Sequence, residues 1–313
     1  MGAKLKVALL AGGKSGEREV SLKGAEGVQQ ALDRNRYEVR RYDPAFDLAK
    51  LANEADEIDV AFILLHGRFG EDGTVQGFLD LLGIPYQGAG VLGSALAMDK
   101  HVAKVMYRQA GLPVPDWELV DPHRPDPAGL IARLGLPLVV KPLRQGSSLG
   151  MSIVDSLGEL ESGLATAFKF DDRVMVEKFI AGREITGGVL GNGDDLIALP
   201  LVEIIPDKKF RFFDYQAKYQ PGASREVCPA ELDEQTTKLA QSYALAAHRA
   251  LQLDVYSRTD MIVGTGGIYL LETNTIPGMT PTSLLPQAAK AHGLDFPALL
   301  DRLLELALQK GKR

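Results

Sequence analysis

The sequence predicts an α/β fold class, with α+β character in its later segments. Strand and helix patterns alternate in the first third of the chain, which indicates parallel βα units. Residues 60–65 form a continuous apolar run, as expected for a strand that is buried on both faces of a sheet. Later segments contain neighbouring strand patterns joined by short glycine-containing stretches, which favour antiparallel hairpins.

The composition is that of an enzyme-sized globular protein. The 313 residues are 45% hydrophobic and 24% charged, so the chain can bury substantial cores in two or three domains. A net charge of -6, without a Lys/Arg cluster, argues against a nucleic-acid-binding surface. The single cysteine, Cys228, excludes an internal disulfide framework and fits a reducing compartment. Because no apolar run approaches the length of a membrane span, we expect a cytoplasmic protein without nucleic-acid or membrane partners.

The first segment is expected to place a polar loop at the edge of a sheet. A strand over residues 7–11 runs into a glycine-rich loop and a helix over about residues 19–32. The apolar strand at residues 60–65 then delivers the polar residues 66–73 to its C-terminal end, where open α/β sheets bind ligands. A long helical pattern over residues 90–109 follows, and we expect this single helix to bridge the first two domains.

The later segments are richer in strands. Strand patterns cover residues 138–141, 151–154, 174–180, 184–190 and 196–205. The polar residues 206–229 lack periodicity, and a loop of that length predicts a functional lid. Helices follow from about residue 234 and over residues 296–307, and the apolar stripe of each, which includes Leu239 in the first, predicts core packing.

The glycine-rich loops match no standard nucleotide fingerprint. The P-loop motif ends in glycine, lysine and serine or threonine, as residues 13–15 do. Its first glycine, however, would fall at Ala8. The same loop lacks the spacing of a dinucleotide site, so a hydride-transfer enzyme has only fold-level analogy in its favour. Residues 145–150 lie between two strands and suit a flap over phosphates, with a plain hairpin turn as the alternative.

A hairpin around residues 264–267 predicts a metal site. If its loop holds three or five residues, Asp260 lies opposite Glu272. Arg258 then lies opposite Asn274 on the same face. Opposed carboxylates repel each other, whereas oxygen ligands from Asp, Glu and Asn suit a Mg²⁺ ion that also holds phosphates. The alternative is a solvated sheet face with a chance pair of acids.

Two lysines are candidates for binding phosphate. Lys141 lies inside an otherwise apolar strand, where an uncompensated ammonium is costly and a phosphate would compensate it. Lys100 lies in a helical pattern, where a solvated charge is the alternative interpretation.

Together these motifs resemble the D-alanine–D-alanine ligase family of the ATP-grasp superfamily over essentially the whole chain. The matching positions are residues 12–13, 17–21, 66–73, 98–100, 140–142, 146–148, 177–178, 214–219, 258–260, 272–274 and 277–280. Phe69 and Thr273 depart from the usual residues of the family without removing a reacting group. The resemblance implies an ATP-grasp fold of three domains, residues 1–95, 96–182 and 183–313, with ATP held between the central and C-terminal domains.

The resemblance also implies a two-step ligation for peptidoglycan synthesis. ATP phosphorylates the carboxylate of one D-alanine, and the amine of a second attacks the acyl phosphate to give D-alanyl-D-alanine, ADP and phosphate. Two Mg²⁺ ions, replaceable by Mn²⁺, would be held by Asp260, Glu272 and Asn274, and a monovalent cation is compatible with the family. The residues expected to bind ATP are Lys100, Lys141, Glu177, Lys178, Ile180, Glu184 and Lys218.

The substrate residues follow from the same resemblance. Glu17 would hold the ammonium of the first D-alanine, with His66 beside it. Ser283 and Leu284 would receive the carboxylate of the second. The alternative for Glu17 is an acid that favours the N-terminus of a helix. The alternative for His66 is a hydrogen-bonded loop histidine.

The reacting groups are assigned in the same way. Arg258 and the backbone of Gly278 would stabilise the tetrahedral oxyanion. Tyr219, Ser147 and Glu17 form a candidate network for removing the proton of the attacking amine. The family further implies a homodimer.

Other functions are distinguished by particular residues. A different ATP-grasp carboxylate–amine ligase should lack Glu17 and the Lys218-Tyr219 pair, and a D-alanine–D-lactate ligase should differ at Tyr219. A non-catalytic nucleotide-binding module would need a missing metal ligand or phosphate lysine, and the sequence lacks none of them.

Overall fold

A computed structural model describes residues 3–207 and 224–310, and its first sheet is parallel. The strands, in the spatial order β2–β1–β3, are β1 (Leu5–Ala11), β2 (Tyr37–Tyr42) and β3 (Val60–Leu64). Helices follow each strand, namely α1 (Arg18–Ala31), α2 (Leu48–Asn53) and α3 (Thr74–Leu81). Every residue of β3 is buried, which confirms the strand predicted from its apolar run.

Two helices connect the first sheet to the second, where the sequence predicted one. They are α4 (Val91–Met98) and α5 (Lys100–Gln109), so the prediction of a single bridging helix was wrong. Asp99 separates them because its backbone is extended and its carboxylate accepts hydrogen bonds from the N–H groups of His101 and Val102. This N-cap makes Lys100 the first residue of α5, and its N–H donates to Leu143 O at 3.3 Å.

The second sheet is antiparallel, and two helices of the described chain pack on one of its faces. Its strands, in the order β4–β7–β5–β6, are β4 (Trp117–Val120), β5 (Leu138–Pro142), β6 (Ser152–Val154) and β7 (Val174–Lys178). Alternate residues such as Leu138 and Val140 pack with α6 (Pro127–Leu134) and α7 (Leu157–Ala167) in one hydrophobic core. Because side chains alternate along a strand, Val139 and Lys141 point to the opposite face.

The third sheet is antiparallel and is the largest. Its strands are β8 (Gly182–Gly191), β9 (Ile197–Ala198), β10 (Val202–Pro206), β11 (Ser224–Val227), β12 (Val255–Gly264) and β13 (Gly267–Asn274). Five of them follow the order β11–β10–β8–β12–β13, and β9 pairs with β8. The single strand predicted over residues 196–205 is two strands, and Pro200, which cannot donate to a ladder, lies between them.

Three helices cover this sheet and the first one. They are α8 (Glu234–Ala250), α9 (Leu284–Ala291) and α10 (Phe296–Lys310). The stripe of leucines on α10 is buried, as predicted. The stripe predicted on α8 is correct at Ala247, which is buried, and at Tyr243 and Ala246, which pack against the core, but it is wrong at Leu239, which is 41% exposed. A Cβ atom at Gly187 of β8 would lie 2.9 Å from Ala244 Cβ, so this helix approaches its sheet too closely for leucine. None of the described helices is long and apolar enough to cross a membrane.

Candidate active site

The β12–β13 hairpin sets out the predicted metal ligands. Asp260 lies directly opposite Glu272, and Arg258 lies opposite Asn274, as the sequence predicted. The four side chains share one face of the sheet because their positions alternate along the strands.

The loop of this hairpin differs from its prediction. Gly264 pairs with Gly267, so the turn contains two residues rather than three or five. Met261 pairs with Leu270, one position out of step with the outer pairs, and a β-bulge at Leu271 absorbs the difference. The pairing that was predicted from an odd loop therefore arises from a bulge, which local sequence patterns did not indicate.

Cationic side chains compensate the opposed carboxylates. Arg258 binds Asp260 through two hydrogen bonds, from Nε to Oδ1 at 2.9 Å and from Nη2 to Oδ2 at 2.8 Å. Burial lowers the pKa of Arg258, but the Asp260 carboxylate outweighs this effect and raises it above its usual value. Asn274 Nδ2 donates to Asp260 Oδ2 at 3.1 Å, and Lys100 Nζ lies 3.5 Å from Glu272 Oε2.

The donor set fits a hard divalent cation. Asp260, Glu272 and Asn274 supply carboxylate and amide oxygens, the ligands that Mg²⁺ prefers. Within residues 3–207 and 224–310, no three side chains of His, Cys, Asp or Glu are grouped as a metal site. A metal at the hairpin would therefore depend on the amide of Asn274 and on substrate oxygens as well as on the two carboxylates.

A first cleft lies between the second and third sheets and holds most residues predicted to bind ATP. Its polar lining includes Lys100, Lys141, Glu177, Lys178, Glu184, Asp260 and Glu272. Its apolar lining includes Val139, Met151, Ile153, Phe179, Ile180, Ile262 and Leu271. A mostly apolar cleft with convergent charged groups is suited to a flat heterocycle that carries phosphates.

Lys141 has a protein partner that sequence analysis did not anticipate. Its ammonium contacts Glu177 Oε1, so a carboxylate compensates the buried charge for which only phosphate was expected. Burial lowers the pKa of Lys141, but the Glu177 carboxylate outweighs it and raises that pKa. The other oxygen of Glu177 lies 2.9 Å from the ammonium of Lys104, a residue with no predicted role.

Lys100 is not a solvated surface charge. Its side chain is 12% exposed, and Nζ donates to the backbone carbonyl of Gln145 at 2.7 Å. This bond ties the start of α5 to the loop between β5 and β6. Lys104 follows Lys100 by one helical turn, a spacing that would have indicated a second lysine on the same helix face.

The loop between β5 and β6 is not a plain hairpin turn. Ser147 and Ser148 have φ angles of 53° and 56°, a left-handed conformation that is uncommon outside glycine and often marks functional sites. Ser147 Oγ donates to the carboxylate of Glu17, which immediately precedes α1. A Cβ atom at Gly146 would lie 3.0 Å from Glu17 Oε2, so the loop covers this carboxylate closely.

A second cleft adjoins the first and collects the predicted substrate residues. Its lining includes Glu17, His66, Ser147, Arg258, Asn274, Gly278, Ser283 and Leu284. Glu272 lines both clefts. The two predicted sites therefore meet at the metal-ligand hairpin.

His66 and Glu71 lie on the buried side of the second cleft, which both of them line. Glu71 Oε2 accepts a hydrogen bond from Gly67 N at 2.7 Å. Burial lowers the pKa of His66. Burial, aided by the charge of Glu17, raises the pKa of Glu71 to about 8. Glu71 lies within the motif of residues 66–73, but nothing in its local sequence predicted a role for it.

The start of α9 forms another wall of the second cleft. Ser283 is its N-cap residue and Leu284 its first helical residue. Ser283 Oγ accepts from Thr280 N at 3.1 Å and lies 2.8 Å from Thr280 Oγ1. A Cβ atom at Gly278 would lie 3.1 Å from Ser283 Oγ, so a larger residue would press on this cap.

Two predicted residues lie outside the described part of the chain. Lys218 and Tyr219 belong to the expected lid over residues 206–229. The far end of that stretch includes β11, which pairs with β10 in the third sheet.

Comparisons with known proteins agree with this arrangement. The family described as D-ala D-ala ligase C-terminus matches residues 106–305, and D-ala D-ala ligase N-terminus matches residues 43–89. The D-alanine–D-alanine ligase of Syntrophobacter fumaroxidans is 60% identical over 307 residues, which are 98% of this chain and 98% of that protein. The ligase of Desulfotalea psychrophila is 58% identical over 318 residues, covering 99% of this chain and 97% of that protein.

Solved structures show the same fold. The Bacillus anthracis D-alanine–D-alanine ligase complexed with ATP has a TM-score of 0.86 at 36% identity, covering 98% of this chain and 99% of that one. The VanG D-Ala:D-Ser ligase of Enterococcus faecalis has a TM-score of 0.83 at 33% identity, covering 97% and 100%. The predicted ATP-grasp fold is thereby confirmed. The family models match more than half of the chain, and one relative is 60% identical over 98% of it. The chain therefore belongs to the D-alanine–D-alanine ligase family.

Proposed function

We propose that this protein joins two D-alanines into D-alanyl-D-alanine through a D-alanyl phosphate, releasing ADP and phosphate. The position of Glu272 carries the proposal, because this residue lines both the cleft of the phosphate-binding lysines and the cleft of Glu17 and His66. Phosphoryl transfer requires the γ-phosphate of one ligand to meet the carboxylate of another. A shared wall between two clefts provides such a meeting point.

The first cleft would bind ATP. Lys100 and Lys141 would bind phosphate oxygens, and Lys178, Ile180 and Glu184 would face the adenine and ribose. Glu177, also predicted to meet adenine, has both carboxylate oxygens in contact with lysines. We therefore propose that its carboxylate holds Lys141 and that Lys178 and Ile180 contact the adenine.

The hairpin would hold Mg²⁺ or Mn²⁺ through Asp260, Glu272 and Asn274. When bound, two such ions would neutralise the charge that develops on the β- and γ-phosphates during transfer. Arg258, which now pairs with Asp260, lies beside the same site. It would stabilise the tetrahedral oxyanion together with the N–H of Gly278.

The second cleft would bind both D-alanines. Glu17 would accept hydrogen bonds from the ammonium of the first, and its bond from Ser147 fixes its position. Ser283 and Leu284 would present the N-terminus of α9 to the carboxylate of the second, since the N–H groups of a first helical turn favour anions. His66 would lie beside the ammonium of the first D-alanine, since it lines the same cleft as Glu17.

The attacking amine must lose a proton before it reacts. Glu17 and Ser147 already form a hydrogen bond, and Tyr219 would complete the network from the lid. Lys218 would reach the γ-phosphate from the same segment. A lid would also exclude water, which would otherwise hydrolyse the acyl phosphate and waste ATP.

A ligase that prefers another acceptor is the second candidate, favoured by the likeness to a solved D-Ala:D-Ser ligase. The deciding experiment measures phosphate release from Mg·ATP with D-alanine alone, and with D-serine, D-lactate or L-alanine added as acceptor. We expect D-alanine alone to support full turnover and added L-alanine to contribute no further phosphate release. Faster turnover with D-serine or D-lactate than with D-alanine would contradict the proposal.

Further features belong to the same proposal. We propose the domain boundaries given above, residues 1–95, 96–182 and 183–313, because each range contains one of the three sheets, apart from Gly182 at the start of β8. A homodimer is expected by analogy with the family, and a monovalent cation is compatible with it. A cytoplasmic location is supported by the single cysteine, Cys228, and by the presence of ATP there.

A further inference from the structure

Lys104 is a fully buried lysine that lies behind the first cleft. Its side chain is 0% exposed, and it is not among the residues that line the cleft. It lies one helical turn after Lys100 on α5, so both ammonium groups leave the same face of the helix. Lys100 reaches the cleft and Lys104 does not. A direct contact between Lys104 and a nucleotide is therefore excluded by its burial.

Glu177 lies between Lys104 and a lysine that does line the cleft. Its side chain is 2% exposed, and Oε2 lies 2.9 Å from Lys104 Nζ. Its other oxygen contacts the ammonium of Lys141. The Lys104 contact is an ion pair rather than an aligned hydrogen bond, because neither atom meets the geometry of one. One buried carboxylate is thus shared by two ammonium groups.

The charges of this cluster do not balance. Two ammonium groups and one carboxylate leave one net positive charge, and of the two lysines only Lys141 lines the cleft. Fold stability is a weak reason for such a cluster, because buried ion triads can be replaced by apolar side chains without loss of stability. Trp117, whose ring centroid lies 5.8 Å from Lys104 Nζ, adds a cation–π contact that helps to retain the buried charge.

We propose that Lys104 is a positioning residue for phosphate binding, which acts by taking up part of the charge of Glu177 so that Lys141 stays attractive to anions. Without Lys104, Glu177 and Lys141 would form a balanced pair, and this cluster of three side chains would lose its net positive charge. This inference rests on the proposed function, in which Lys141 binds the phosphates of ATP.

The directions of the pKa shifts agree with a shared carboxylate. Burial would raise the pKa of Glu177, but the charges of Lys104 and Lys141 outweigh it and lower that pKa. Burial lowers the pKa of Lys104, and the Glu177 carboxylate opposes that shift. Removing either lysine would therefore strengthen the ion pair between Glu177 and the remaining lysine.

The test compares ADP with adenosine as ligands, using calorimetry on the full-length protein. In Lys104→Met we expect ADP to bind at least about tenfold more weakly, which corresponds to one lost charge contribution of about 1.4 kcal/mol. Adenosine should bind within about twofold of wild type, since it has no phosphate. In Lys104→Met/Glu177→Gln, where the net positive charge returns, we expect the ratio of ADP to adenosine affinity to recover to near the wild-type ratio.

The matched control is Lys238→Met, because Lys238 is an exposed lysine whose side chain is 72% accessible. It should leave both affinities unchanged. If Lys104→Met weakens ADP and adenosine equally, Lys104 only supports packing and the proposal is overturned. Failure of the double variant to recover the ratio would overturn it as well.

A separate variant covers the case in which Lys104→Met does not fold. Glu177→Gln alone adds net positive charge beside Lys141, so it should raise the ADP-to-adenosine ratio, and an unchanged or lowered ratio would overturn the proposal. Failure of the proposed function is distinguishable. A wild-type protein that binds ADP but makes no dipeptide would contradict the ligase function and leave the role of Lys104 intact.

Discussion

Asp260 lies directly opposite Glu272 across a hairpin whose two-residue turn would by itself place them out of register. The bulge at Leu271 brings the two carboxylates into register and lets Glu272 reach both clefts. Bulges recur next to active sites because they redirect single side chains. The bulge, and not the length of the turn, therefore sets the position of this carboxylate.

Substitution of Glu272 tests its role at the junction. We expect Glu272→Gln to lower kcat by at least about 100-fold, because a neutral amide binds Mg²⁺ poorly and metal stabilisation is worth several kcal/mol. The fold should persist, since the lost pair with Lys100 is long and partly exposed. Steady-state kinetics and circular dichroism would be measured together. Glu161→Gln, an exposed change on α7, serves as the control, and near-wild-type turnover of Glu272→Gln would count against the metal site.

The close approach of the β5–β6 loop to Glu17 predicts the effect of one added methyl group. Gly146→Ala would place a Cβ atom 3.0 Å from Glu17 Oε2 and displace that carboxylate. We expect kcat/KM for D-alanine to fall by about 10- to 100-fold, since small misplacements in a site are costly. Gly158→Ala is the matched control, because a Cβ atom there meets nothing within 4 Å. Equal activity of the two variants would show that Glu17 does not need this position.

The raised pKa of Glu71 predicts a pH-dependent stability. Its native pKa of about 8 exceeds the ordinary value of 4.5, so the native state holds the proton more tightly than the unfolded chain. Glu71 therefore costs the native state stability as the pH rises between those two values. Glu71→Gln, which resembles the protonated form, should be increasingly more stable than wild type from about pH 5 to about pH 8. Denaturant unfolding at several pH values would check this, and a constant difference would contradict it.

The second cleft and the lid together predict acceptor choice. Tyr219 would tie the lid to the Ser147–Glu17 pair, which the structure already shows as a hydrogen bond. Loss of its hydroxyl would leave partners unpaired, at a cost of about 1–3 kcal/mol. We expect wild type to make little D-alanyl-D-lactate near neutral pH, and Tyr219→Phe to shift the product ratio towards it. The ratio of the two products would be measured with D-alanine and D-lactate both present. An unchanged ratio in Tyr219→Phe would show that Tyr219 does not determine acceptor specificity.

Much of this site was predictable from motifs, and the exceptions have physical causes. Lys141 was recognisable because a charge in an apolar strand is costly. Its partner Glu177 was not recognisable as such, because their contact crosses two strands whose pairing no local pattern gives. Asp99 divided the predicted bridging helix because one capping side chain overrides a continuous helical pattern.

The core of the third sheet shows a similar limit. Leu239 fitted an apolar stripe, yet Gly187 of β8 lies so close to α8 that a small residue, Ala244, faces it. Glu71 stayed unassigned because the charges that surround it, such as that of Glu17, come from segments remote in sequence. Sequence patterns thus predicted which residues belong to the site. The relative positions of those residues depend on bulges, helix caps and close contacts between elements, which local patterns do not indicate.

Phosphorylation of a D-alanine carboxylate at the junction of the two clefts can be followed by the transfer of oxygen. The experiment supplies D-alanine labelled with ¹⁸O in its carboxylate, together with unlabelled Mg·ATP. Mass spectrometry of the released phosphate should find one ¹⁸O atom for each dipeptide formed, because the acyl phosphate breaks between carbonyl carbon and bridging oxygen. Unlabelled phosphate accompanying dipeptide formation would contradict the account.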